Sequence, residues 1–123
     1  VQGALMEEFE VRAQHRFVPQ SARKVRLVVN SVRGMDAEQA LGTLNHMPQR
    51  AAASVFKLVR SAVANAENNY GMVAEDLYIA HISADEGPIR RWRRFGARGR
   101  FKPIQKRSSH ITVILRERIS SEL

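Results

Sequence analysis

From Phe9 the chain alternates: Phe9, Val11, Ala13 and His15 interleave with Glu10, Arg12, Gln14 and Arg16, the two-residue period of a half-buried strand. Pro19 ends that pattern. Ser21 then suits the N-cap of a helix reaching about Arg33, with Gly34 as a left-handed stop. Within it Val25, Val28, Val29 and Val32 make one apolar stripe, and Arg23, Arg26, Asn30 and Arg33 line an adjacent polar face whose basic side suits a phosphate. Asp36 begins a second helix, with Gln39 three residues on as in a capping box. Ala37, Ala40, Leu41, Leu44 and Met47 face inward, and Pro48 closes it. The longest helix is predicted from about Gln49 to Asn69, because Ala52, Val55, Phe56, Val59, Val63 and Ala66 recur at three- and four-residue steps before Gly71.

The period returns to two over Leu77 to Ala84 and again over His110 to Arg116, where Ile111, Val113 and Leu115 alternate with Thr112 and Ile114. Between these strands the economical reading is one long antiparallel hairpin turning around Phe95 to Gly99. About ten residues per arm beyond Asp85, at roughly 3.3 Å each, give a reach of about 33 Å. A turn near Gly96 sets Glu86 opposite Arg107, predicting an ion pair at the root beside a Gly87-Pro88 bend. The predicted fold is α+β: a small three-stranded antiparallel sheet packed on three helices, with a long protruding β-hairpin. It forms one domain, with a compact body over 9–84 and 108–118 and an arm over about 85–107.

Composition bounds the function. A chain of 123 residues that is 44% hydrophobic and 26% charged can bury roughly two-thirds of its unfolded surface, enough for one core. The net charge of +8 is unevenly spread. Nine of the twenty basic residues, and no acid, fall between Ile89 and Arg107, while the rest of the chain carries eleven basic and twelve acidic residues. A near-neutral body therefore bears one cationic arm, which calls for a polyanion. With no cysteine, disulfides and thiolate sites are excluded, and no apolar run approaches the roughly 20 residues of a membrane span. Val1 to Phe9 lacks the basic start of a signal peptide, so the default setting is cytoplasmic. Met6 precedes Glu7 and Glu8, and the five residues before it read as an upstream extension or as trimmed material, with no function assigned to them.

The arm's Arg90, Arg91, Arg93, Arg94, Arg98, Arg100, Lys102, Lys106 and Arg107 are mostly arginine, whose planar fork fits phosphate oxygens and stacks on bases. Trp92, Phe95 and Phe101 are interleaved as candidates for base stacking, with cross-strand packing as the alternative. Two-stranded ribbons are marginal in water and like charges weaken them further, so RNA is expected to order the arm. Asp85 and Glu86 lack an accompanying nucleophile or metal set, and His15, His46, His81 and His110 lack metal-ligand spacing. Gly96-Ala97-Arg98-Gly99 lacks the lysine and length of a P-loop. No catalytic residue, metal or cofactor is expected. The two helices joined at Gly34 suggest a DNA-reading helix-turn-helix, but Ala37 to Met47 holds no lysine or arginine.

Three blocks carry a family resemblance. The first is Ser21-Ala22-Arg23-Lys24-Val25-Arg26-Leu27-Val28-Val29 ending at Val32-Arg33-Gly34, and the second is Ser61-Ala62-Val63-Ala64-Asn65-Ala66-Glu67-Asn68-Asn69. The third is Asp85-Glu86-Gly87-Pro88, then Ala97-Arg98-Gly99-Arg100 and Lys106-Arg107-Ser108-Ser109-His110-Ile111-Thr112-Val113. Together they cover nearly all of Val11 to Leu115, and the chain resembles the large-subunit ribosomal protein L twenty-two family in its bacterial form. The resemblance implies a structural, non-enzymatic protein on a cytoplasmic ribosome, with a plastid ribosome as the alternative. It implies binding of 23S-type rRNA early in assembly, contact with neighbouring ribosomal proteins, and a hairpin tip lining the polypeptide exit tunnel beside the nascent peptide. In such families hairpin changes can confer macrolide resistance. Carried over by position, the rRNA contacts are the nine arm cations with Arg23, Lys24 and Arg26, and the tunnel-lining tip is Arg93, Arg94, Phe95, Gly96, Ala97 and Arg98. The family's common Pro-Arg-Ala-Arg-Gly-Arg tip reads Phe95-Gly96-Ala97-Arg98-Gly99-Arg100 here, and Trp92 is bulkier than usual.

Two other classes stay open on the sequence. A freestanding DNA-binding regulator would give a duplex-specific footprint without rRNA binding. A nucleic-acid-processing enzyme using Asp85 and Glu86 would show metal-dependent turnover lost when both become alanine.

Overall fold

The computed structural model describes residues 10–118, without the side chains of Trp92, Arg94, Phe95 and Phe101. Phe9, where the first strand is predicted to start, and the upstream residues 1–5 lie outside the described residues. In chain order the elements are β1 (Glu10–Val18), α1 (Ala22–Val32), α2 (Ala37–Asn45), α3 (Ala51–Tyr70), β2 (Leu77–Glu86), β3 (Arg90–Phe95), β4 (Phe101–Lys106) and β5 (Ser109–Glu117). Short 3-10 turns occupy Ala74–Asp76 and Ala97–Gly99.

Local sequence sets the helices much as expected. Ser21 Oγ accepts the Lys24 N–H at 3.4 Å, and the four stripe valines of α1 are wholly buried. α3 starts two residues later than predicted and buries Ala52, Val55, Val59, Val63 and Ala66, together with Ala51, Leu58 and Ala62, against β1 and β5. Gly34 (φ 82) and Gly71 (φ 66) supply the left-handed stops of α1 and α3.

The capping box predicted at Asp36 is not formed. Asp36 is the N-cap of α2, but its carboxylate accepts Arg118 Nε at 2.8 Å instead of a helix N–H. Arg118 also lies over the Tyr78 ring, 4.5 Å from its centroid. A charge-assisted bond to a residue beyond β5 thus replaces a local cap and ties the start of α2 to the sheet.

The sheet has the order β1-β5-β2, all antiparallel, with the helices on one face. In β5, the central strand, Ile111, Val113 and Leu115 are fully buried. On the other face Thr112 Oγ1 accepts Gln14 Nε2 at 3.3 Å, and Glu10 pairs with its register partner Arg116. That hydrogen bond and charge hold the Arg116 guanidinium above its ordinary range.

Two irregularities break the strict pleat. In β2 both Ile79 and Ile82 are fully buried, yet three positions apart they would face opposite ways in a regular strand. The register steps between Ile79↔Leu115 and His81↔Ile114, making Ala80 the extra residue that returns Ile82 and Ala84 to the core. In β1 the step lies between His15↔Ile111 and Val18↔Ser109, so Arg16 and Phe17 together oppose His110.

β2 is an edge strand, and its outer backbone groups are occupied. Ile79 N–H donates to the Met35 carbonyl at 2.9 Å, Arg33 Nη2 donates to the Ile82 carbonyl at 2.8 Å, and Arg26 Nε donates to the Ala84 carbonyl at 2.9 Å. A covered edge cannot recruit another chain's strand.

Candidate nucleic-acid interface

β3 and β4 pair only with each other, as a two-stranded ribbon growing from the ends of β2 and β5. The register differs from the predicted one. The turn is Gly96 to Arg100, flanked by the partners Phe95↔Phe101, with Gly96 N–H donating to the Arg100 carbonyl and Arg98 in the left-handed region at φ 59.

Glu86 consequently pairs with Ser109, not Arg107, and the predicted Glu86–Arg107 ion pair is absent. Arg107 Nη2 donates to Gln105 Oε1 at 3.2 Å. The cause is the position of the turn, which is centred on Arg98 and alone would set Glu86 against His110. An uneven root, with three residues on one strand and two on the other between Glu86↔Ser109 and Arg90↔Lys106, brings Glu86 to Ser109. Gly87 closes this root, its N–H donating to the Ser108 carbonyl at 2.9 Å. A Cβ there would lie 2.5 Å from Ser108 Oγ and 3.2 Å from His110 Cε1, so the position admits only glycine without a shift.

Along the ribbon Arg90 opposes Lys106 and Arg94 opposes Lys102, while Trp92 opposes Ile104 and Phe95 opposes Phe101. Two of the four arginine positions of β3 thus confront lysine positions, Arg91 and Arg93 confront Gln105 and Pro103, and the aromatic positions confront apolar ones. The side chains of Arg90, Arg91, Arg93, Arg98, Arg100, Lys102, Lys106 and Arg107 are exposed. Those of Arg94, Trp92, Phe95 and Phe101, among them all three stacking candidates, lie outside the described residues.

The body contributes cations beside the root. Arg23 and Arg107 line a depression of about 300 Å³ over the first turn of α1, with Glu86 also on its wall. Lys24, Arg50, Lys106 and Arg107 line a larger groove of about 810 Å³ between the starts of α1 and α3, floored in part by exposed Leu27 and without an acid in its lining. Arg50 was not singled out by sequence. It precedes a helix whose partner in the groove is set only by tertiary packing. Arg26, grouped with Arg23 and Lys24 by sequence, turns its Nε to the Ala84 carbonyl.

Asp85 and Glu86 are adjacent on β2, partnering His110 and Ser109. Neighbouring strand positions point to opposite faces, so the two carboxylates do not converge on one substrate. Among the described residues no group of three or more His, Asp or Glu could hold a metal ion, and no helix is long and apolar enough to cross a membrane.

Comparison with known proteins fits this arrangement. Residues 13–116 match the family model described as ribosomal protein L22p/L17e, which spans the sheet, the three helices and the arm. A protein of Thermoanaerobacter sp. (strain X514) named large ribosomal subunit protein uL22 is 47% identical over 109 residues, covering 89% of this chain and 98% of its own. Proteins of the same name from Fervidobacterium nodosum and Chloroflexus aggregans are 46% and 45% identical, covering 94% and 89% of this chain and 78% and 96% of their own. The α+β body, the cationic two-stranded arm and these matches together show that the chain belongs to the ribosomal protein L22p/L17e family, in its bacterial form, whose members are structural, non-enzymatic proteins of the large ribosomal subunit.

Proposed function

We propose that this chain binds large-subunit rRNA, promotes its folding during subunit assembly, and sends the tip of its arm to the wall of the polypeptide exit tunnel. The supporting observation is the ribbon's own register. Four arginine positions of β3 and two lysine positions of β4 share one two-stranded ribbon, Arg90 and Arg94 in register with Lys106 and Lys102. So much like charge on a ribbon costs stability in water that is relieved when phosphates lie alongside.

In this reading the arm cations neutralise packed phosphates, with Arg23, Lys24 and Arg26 on α1 anchoring the body. Neighbouring ribosomal proteins cover part of the remaining surface, and the tip from Arg93 to Arg98 faces the nascent peptide. The compact body over 9–84 and 108–118 and the arm over 85–107 act as one unit, the body fixing the arm's direction.

Crosslinkers at Arg93, Arg94 and Arg98 in assembled subunits are expected to reach both rRNA and a stalled nascent chain. Crosslinks confined to the subunit surface would reject the tunnel placement. Failure to copurify with the large subunit at high salt would reject the whole reading.

A further inference from the structure

Phe17 is an oddity that the fold does not explain. At the β1 irregularity, where a glycine commonly serves, it holds φ at 60. Such a backbone is an outlier for a bulky side chain. Packing is no compensation, because the residue is 59% exposed.

Its position is nevertheless well held. The Phe17 N–H donates to His110 Nδ1 at 3.0 Å, and the two rings meet edge to face at 86° with centroids 4.9 Å apart. His110 also stands beside Gly87 at the arm's root, where an added Cβ would lie 3.2 Å from its Cε1. The strained conformation presents a ring to solvent beside the place where the arm leaves the body, and strain retained at an exposed site points to a ligand.

The surroundings identify that ligand's chemistry. The Arg16 guanidinium carbon is 5.5 Å from the Phe17 centroid. Phe17, Pro19, Pro88, Arg90, Lys106 and Arg107 line a depression of about 390 Å³ with no acid in its lining. That volume is at the low end of the roughly 300–1,000 Å³ typical of small-ligand sites. Apolar walls with a cationic rim suit a flat ring attached to phosphates.

We infer that Phe17 is a stacking platform for one unpaired RNA base, whose flanking phosphates are held by Arg90, Lys106 and Arg107. This rests on the rRNA-binding reading above. It adds a contact on β1, a strand outside both the arm and α1. Base recognition by stacking tolerates any base, because each has a π-face.

Glycine separates binding from folding here, since it accepts the positive φ at no steric cost. In the full chain, Phe17→Gly is expected to weaken binding to large-subunit rRNA on the order of tenfold, with an unfolding midpoint equal to or above that of the parent. The slope of affinity against salt should not change, because no charge is removed. Phe17→Trp should bind at least as tightly as the parent. Phe17→Gly binding within twofold of the parent would overturn the inference and leave the rRNA reading intact, as expected if a protein neighbour covers this ring. A parent chain that fails to bind rRNA would overturn both.

Discussion

Arg26 Nε lies 2.9 Å from the Ala84 carbonyl oxygen, joining the exposed face of α1 to the outer edge of β2. About two turns further on, just past the end of α1, Arg33 does the same for Ile82, two strand positions away. Arg26→Ala and Arg33→Ala should each lower stability by about 1 kcal/mol, the net worth of one such bond at a partly solvated site, measured by urea unfolding. Because Arg26 is also a proposed phosphate ligand, its alanine variant should weaken RNA binding as well, whereas Arg33→Ala should not.

Two glycines give opposite expectations for the same substitution. Gly87→Ala drives a methyl group against Ser108 and His110 at the arm's root. It should destabilise by roughly 1–3 kcal/mol, as overpacking does. Gly42 lies within α2, exposed and with nothing within 4 Å of an added Cβ, so Gly42→Ala should raise stability by about 0.5–1 kcal/mol. Thermal unfolding of both variants checks the pair.

Amide exchange should divide the free protein at its root. β3 and β4 have one partner each, while α3 lies against the sheet. Arm amides are therefore expected to exchange far faster than those of α3 and to become protected when RNA binds. Equal protection without RNA would show that the ribbon stands unaided.

Affinity for rRNA should fall steeply with salt. If the arm and α1 together make 6 to 10 phosphate contacts, the loss between 50 and 200 mM salt is about 10³- to 10⁵-fold. Lys24→Ala and Arg107→Ala should each reduce the logarithmic slope by about 0.7–0.9. Filter binding across a salt series measures both quantities.

Much of this was legible before any coordinates. The valine stripe of α1, the long amphipathic α3 and the alternation of β5 carry their own periods, and burial follows them. The nine arm cations stand out by simple count. What escaped was decided at a distance. Asp36 has every local reason to cap α2, yet Arg118, 82 positions away, takes its carboxylate. Arm register rested on where the turn was centred, and an error of about two positions there moved Glu86 from Arg107 to Ser109. Phe17 looked like ordinary strand sequence, because a backbone bulge leaves no periodic trace.

Ala80 sets a phase between the two halves of β2. Residues before it answer to Met35 and Asp36; those after it answer to Arg26 of α1 and to Arg33 just past its end, and lead into the arm. Removing that one alanine would change the composition hardly at all. It would leave Ile79, Ile82 and Ala84 alternating on one face of an unbroken pleat, opposite Leu115, Val113 and Ile111 as before, so the bulge absorbs a residue that the pairing itself does not need. The bulge thus lets β2 carry one more residue toward the arm without exchanging the faces on which its side chains lie.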